Sequence, residues 1–313
     1  MPAPIAVFAF NRPDNLLRTL LALAANTLAA ESDVIIFCDG PRTPAERVKT
    51  DAVQAIAAAA TGFHSCEVRA AACNLGLKRS ILDGVTSVIN DAGRVIVLED
   101  DLLTAPFFLQ FMNDGLDVYA QHDAVASIVG WTCPHEQEAP ETFFLRGADC
   151  WGWGTWKRAW DAMDKNAEHL VLELSRKNLI DAFNADGHYA YFDLLRDVAA
   201  GHSNSWAILW HASNFVAGRY SLFPAHSLVF NDGFTSGAHF SGQLLPQQAL
   251  VHAVPIAVRE MPIVECTAMR YALNQWLVTT DTPPGPFRAA KRFLSTRVPV
   301  LKKIYHSIKQ YGK

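Results

Sequence analysis

Three short apolar runs, residues 5–10, 34–38 and 95–98, and a weaker strand-like segment over 66–72 are separated by segments whose apolar residues recur with a different period. Val95, Ile96, Val97 and Leu98 leave no polar side chain to face water, which suits a parallel strand covered on both faces. After the first run, Leu16, Leu17, Leu20, Leu21 and Leu23 recur at helical spacing, and residues 45–60 and 78–89 carry helical patterns of their own. Turn signals close the runs, Asn11-Arg12-Pro13-Asp14 after the first and Asp39-Gly40-Pro41 after the second. Strands alternating with helices in this order predict an α/β fold built on a parallel, doubly wound sheet.

In sheets of that kind ligands sit beyond the carboxyl ends of the strands. Three runs end there in polar groups: Asn11-Arg12, Asp39 and Glu99-Asp100-Asp101. Three adjacent carboxylates repel one another, so one must take up a proton, pair with a cation or coordinate a metal. No cation lies within the triplet, and the expectation is that a group outside the chain balances it. Hard oxygen donors favour Mg2+ or Mn2+, with a diphosphate completing the shell. A solvated acidic loop, or a helix N-cap by Asp101, is the structural alternative.

With 313 residues and 50% hydrophobic content, the chain can bury a large core without cross-links. Its six cysteines are scattered, with no C-x-x-C pair, and read as reduced, mostly buried thiols. A formal charge of -4 argues against a surface that binds nucleic acid. The N-terminal stretch has no basic region, and its apolar run is too short for a signal peptide, so a cytoplasmic protein is expected. Downstream, residues 150–156 and 205–211 place tryptophans beside small residues, which suits a core seam or a surface on which sugars stack.

Taken together, Asn11-Arg12-Pro13, Asp39-Gly40, Asn74-Leu75-Gly76 and Glu99-Asp100-Asp101 resemble the nucleotide-sugar-binding half of GT-A glycosyltransferases. The triplet resembles the DXD element in its Glu-Asp-Asp form, as in N-acetylglucosaminyltransferase I and its relatives. The Gly-Trp-Gly-Thr-Trp and Ser-Trp-Ala-Ile segments resemble bacterial surface-polysaccharide transferases. The likeness spans roughly residues 3–240 and implies a Rossmann-like, mostly parallel sheet flanked by helices, with an irregular, aromatic-rich acceptor half. By this resemblance Asp101 binds a divalent cation that bridges the donor's phosphates, Asp100 faces the ribose and Glu99 the donor sugar. Phe10, Asn11, Arg12, Asp39 and Gly76 match nucleotide-holding places, Lys78 and Arg79 reach the base or phosphates, and His239 closes over the diphosphate as a further metal ligand. Trp151, Trp153 and Trp206 are the expected acceptor contacts.

The pattern departs from its relatives at the general base. Where N-acetylglucosaminyltransferase I carries its catalytic Asp, this chain has Ser205, which cannot take a proton at neutral pH. Asp193 is the first substitute, with Asp149, His211 and Asp232 behind it. A sugar nucleotidyltransferase would need a Gly-rich phosphate loop after the first strand, and Asn11-Arg12-Pro13 is not one. A glycan-binding module using the tryptophans alone is the non-catalytic alternative.

Residues 1–285 read as one glycosyltransferase domain, with a donor half over 1–125 and an acceptor half over 126–285. Residues 286–313 hold eight Lys and Arg residues and no acid, interleaved with Phe293, Leu294, Leu301, Ile304, Tyr305 and Ile308. That pattern predicts amphipathic helices on an anionic membrane, placing the protein at the inner face of the cell membrane beside a glycan or lipid-linked acceptor.

Overall fold

The computed structural model describes residues 1–233 and 252–280. The first part alternates as the sequence predicts: β1 (Ile5–Ala9), α1 (Pro13–Ala24), β2 (Asp33–Cys38), α2 (Arg47–Ala58), β3 (Ser65–Ala70), α3 (Leu77–Ala92) and β4 (Arg94–Glu99). There follow β5 (Leu102–Thr104), α4 (Phe108–Val118), β6 (Val125–Val129), β7 (Thr142–Arg146) and β8 (Trp153–Trp156). Helices α5 (Lys157–Asp161), α6 (Ala167–Arg176), α7 (Ile180–Phe183), α8 (Tyr191–Ala199) and α9 (Trp206–Val216) lead to β9 (Tyr220–Pro224) and β10 (Val229–Asn231), and α10 (Thr267–Thr280) packs last.

One eight-stranded sheet runs in the order β3-β2-β1-β4-β8-β6-β9-β7. The pairs β2·β3, β1·β2, β1·β4 and β6·β9 are parallel. β8 inserts antiparallel between β4 and β6, and β7 closes the far edge antiparallel to β9. The expected donor and acceptor halves therefore share one sheet. A second, two-stranded ribbon pairs β5 with β10 and carries the chain away from the triplet.

Both faces of the sheet are covered. Along β1, Ile5, Val7 and Ala9 face one apolar cluster while Ala6 and Phe8 face another; along β4, Ile96 and Leu98 join the first cluster and Val95 and Val97 the second. A strand buried on both faces has no polar face to offer, which is why its sequence reads as an unbroken apolar run. Gly84 lets α3 approach closely, since a Cβ there would meet the Phe8 ring at 2.6 Å.

The tryptophans resolve the choice left open between core and sugar platform. Trp153 and Trp206 are buried, and Trp153 packs against Trp160, Trp206 and Trp210 with ring centroids 5.4–5.8 Å apart through this group. As acceptor contacts those two are corrected, because a side chain enclosed by other indoles offers no face to a sugar. Trp151 alone of the three is half-exposed, edge-on to Trp131 at 4.9 Å. The cysteines also differ from expectation: all six are free, but Cys66 and Cys73 are exposed and only Cys38 and Cys133 fully buried.

Candidate active site

The chain leaves β1 towards β2 and β3 on one side and reaches β4 on the other, so strand order reverses between β1 and β4. A reversal of this kind opens a crevice at the carboxyl ends of the two strands. Phe8 lies opposite Glu99 in the register, which brings Phe10 to Arg12 and Glu99 to Asp101 out at the same rim.

One cation of the chain itself, Arg12, meets two of the triplet's three carboxylates, a pairing the sequence did not predict. Arg12 Nη1 donates to Asp101 Oδ2 at 2.7 Å, and Arg12 Nη2 donates to Asp100 Oδ1. Asp100 Oδ2 accepts from the Phe10 backbone N–H at 3.4 Å, and its carbonyl accepts from Thr19 Oγ1 at 2.9 Å. Asp101 is pinned through its carbonyl, which accepts from Asp232 N at 2.8 Å. A Cβ on Gly233 would overlap Asp101 Oδ2, so any larger residue there would have to push that carboxylate aside.

Burial and the neighbouring Asp101 and Asp100 charges push the Glu99 carboxyl up to about 8. Burial also raises Asp100, to about 6, with the Arg12 guanidinium pulling the other way. Asp149, on the connection from β7 to β8, is raised by burial to about 6 while its Oδ1 accepts from Trp151 N at 2.9 Å. Cys150 sits among Asp149, Glu99 and Asp101, and its thiol is pushed well above the usual range by burial and then by those charges. It is therefore no nucleophile, but it ties Asp149 to the triplet's surroundings.

Other predicted residues land as follows. Asp39 collects four donors: Gly40 N and Leu75 N on Oδ1, Asn74 Nδ2 and Gly76 N on Oδ2, all at 2.7–2.9 Å. A carboxylate has about four lone-pair sites, so Asp39 is spent on joining β2 to the loop before α3. Gly76, at φ 77°, caps that helix, and Lys78 is half-buried beyond it, while Arg79 is exposed and paired with Asp83. Asn11 donates to Glu46 Oε1 at 3.3 Å, and Arg42 lies over the Phe10 ring at 4.9 Å.

Of the expected bases, Asp193 lies on the outer face of α8, its side chain 72% exposed and paired with Arg196. No described hydrogen bond or ion pair joins it to the triplet. Asp232 is paired with Arg18. His211 lies beneath Gly147, its Nδ1 on the Ala148 carbonyl at 2.8 Å, and burial holds its pKa down at about 4. Ser205 caps α9, its Oγ accepting from Ile208 N. That hydroxyl has a structural task in place of a catalytic one. His239 and the tail from 286 lie outside the described residues.

The donor set suits a hard divalent cation. Glu99 and Asp101 Oδ1 accept no hydrogen bond among the described residues, which leaves oxygens short of donors at the crevice. Among the described residues no three His, Cys, Asp or Glu side chains converge as a closed metal cage. A cation here would therefore draw on one or two carboxylates and complete its shell from phosphate or water, as Mg2+ commonly does.

No protein-family model matches the chain, and no curated protein matches it. Among solved structures it is similar to Staphylococcus aureus TarS, at 14% identity and a TM-score of 0.33, over 47% of this chain and 25% of that one. Glucosyl-3-phosphoglycerate synthase from Mycobacterium tuberculosis, solved with Mn2+, UDP and glucosyl-3-phosphoglycerate, shares 10% identity over 51% of this chain and 58% of its own, at a TM-score of 0.32. The mannosyltransferase PcManGT from Pyrobaculum calidifontis, solved with GDP-Man and Mn2+, shares 12% identity over 69% and 76%, at 0.34. The chemistry of this chain is read from its own crevice.

Proposed function

We propose that the chain is a divalent-metal-assisted glycosyltransferase that takes its sugar from a UDP-linked donor at the crevice between β1 and β4. The observation that supports this reading is the meeting of Glu99, Asp100 and Asp101 with Phe10 and Arg12 at the point where strand order reverses. Asp101 would hold the cation, with Asp100 turned to the ribose and Glu99 to the donor sugar. A cation bound there supplies charge neutralisation for the departing diphosphate, which needs no proton donor. The nucleotide base would lie against the Phe10 ring beside Asn11, because Asp39 has no acceptor left for it.

Asp149 is the proposed general base in place of Asp193. Its carboxyl at about 6 is ionised at neutral pH yet basic enough to take a proton from an acceptor hydroxyl. Trp151, held by that same carboxylate, is the acceptor-side contact. The acceptor is proposed to be a glycan or lipid-linked glycan of bacterial surface polysaccharide, met at the inner face of the cell membrane through residues 286–313. His239 is kept as a proposed ligand to the cation.

Incubating the protein with a panel of nucleotide sugars and Mn2+ tests the reaction without knowledge of the acceptor. Slow hydrolysis of a UDP-sugar that stops on chelation is expected. No hydrolysis of any donor, with no metal-dependent heat on titrating UDP, would reject the reading.

A further inference from the structure

One oxygen of each aspartate that a divalent cation would draw on is already held by a cation of the chain itself. Arg12 spans both aspartates, Nη1 on Asp101 Oδ2 and Nη2 on Asp100 Oδ1. Gly233 crowds the same Asp101 oxygen from another side. A metal ion on the free Asp101 Oδ1 would stand a few ångström from the guanidinium, where like charges at a partly buried site repel by several kcal/mol. A metal ion arriving alone would bind against that repulsion, with no second partner on hand to draw the guanidinium away.

The way Arg12 is mounted allows it to move. Its backbone is fixed at the start of α1, where Pro13 follows and the Arg12 carbonyl accepts from Leu16 N at 3.1 Å. The side chain beyond is 25% exposed. A planar guanidinium matches a phosphate as well as a carboxylate, because its fork of donors can bond two oxygens at once. A diphosphate entering the crevice would therefore give Arg12 a second partner at the moment the carboxylates are claimed by metal.

We propose that Arg12 is a resident latch: it occupies the cation position while the crevice is empty, keeps free divalent ions out, and transfers to the donor's phosphate when metal and diphosphate enter together. This rests on the reading of the triplet as the cation and diphosphate site. It makes binding of metal and nucleotide mutually dependent through one side chain.

The test uses Mn2+ alone as the probe, with free Mn2+ followed by electron paramagnetic resonance and melting followed in parallel. Wild type, Arg12→Gln, Arg12→Lys and the double variant Arg12→Gln/Asp101→Asn are compared without nucleotide. Wild type should bind Mn2+ weakly and melt at the same temperature with or without it. Arg12→Gln should bind about 10- to 100-fold more tightly, the worth of a charge-assisted hydrogen bond, and gain melting temperature with Mn2+. Asp101→Asn should cancel the gain, which places the ion at this corner. Arg12→Lys keeps the charge without the fork and should fall between. If Arg12→Gln folds only when Mn2+ is added, that rescue is itself the expected result, and Arg12→Lys supplies the titration. Mn2+ affinity unchanged or weaker in both variants overturns the latch. Titrating UDP with Mn2+ into wild type is the separate arm: absence of heat there rejects the nucleotide reading and leaves the metal comparison standing.

Discussion

Asp149 carries the greatest consequence of any single residue in the proposed chemistry. Replacing it by Asn should lower kcat by about 10²- to 10⁴-fold while UDP binding, read by calorimetry, stays as in wild type. The pH profile gives the second readout. A base must be ionised, so the wild-type rate should fall as pH drops through about 6, the value to which burial raises this carboxyl, and unchanged turnover in the variant would remove Asp149 from the mechanism. His211 makes a stability prediction of definite sign. Burial lowers it from 6.5 to about 4, so the unfolded chain binds the extra proton first. Its contribution is complete above 6.5 and is lost as pH falls towards 4. Asp149, raised from 3.8, slopes oppositely in the same window, so the difference between proteins is what isolates His211. Between pH 6.5 and 4 the urea midpoint should fall less steeply in His211→Phe than in wild type, and equal slopes would contradict the assignment. The sequence ranked both behind Asp193, because a lone Asp or His shows its burial only when the fold is formed. The Arg12 contacts were hidden for a related reason: an ion pair 88 and 89 positions apart leaves no local pattern.

Elements were legible where one period dominated. Strands β1, β2 and β4 and the helices after β1 and β3 follow from apolar runs and 3.6-residue spacing, the runs imposed by a sheet covered on two faces there, whereas β3, at the sheet's edge, carries Glu67 and Arg69 and was the weaker signal. The antiparallel insertion of β8 was not legible, since Trp153-Gly154-Thr155-Trp156 reads equally as a loop rich in aromatics. What decides it is packing: Trp153 fills the second core against Trp160, Trp206 and Trp210, and Gly154 admits Met112, whose Cε lies 3.1 Å from where a Cβ would stand. Accordingly Trp206→Ala should cost about 3–5 kcal/mol of stability in urea unfolding with UDP affinity unchanged. Normal stability with impaired acceptor use would restore Trp206 to the sugar-facing role first expected of it. Asp39 shows the same limit from the other direction. Its place after β2 was correct, but its four donors come from its own Gly40 and the loop before α3, so its task there is to hold that loop.

At the scale of the whole molecule, the donor crevice and the β7–β8 connection that carries Asp149 are both mounted on one continuous sheet, which the two expected halves share. Among the described residues no helix is long and apolar enough to cross a membrane. Deleting residues 287–313 should release the protein from anionic liposomes in a flotation assay, with UDP-dependent heat retained, and undiminished flotation would refute the tail's role. The account as a whole stands on a divalent cation at the β4 rim gripping a nucleotide diphosphate. Calorimetry of UDP with and without Mn2+, on wild type and on Asp101→Ala, measures this directly. Metal-dependent heat in wild type that disappears in Asp101→Ala is the predicted result. The same metal-dependent heat in both proteins would place the diphosphate elsewhere and contradict it.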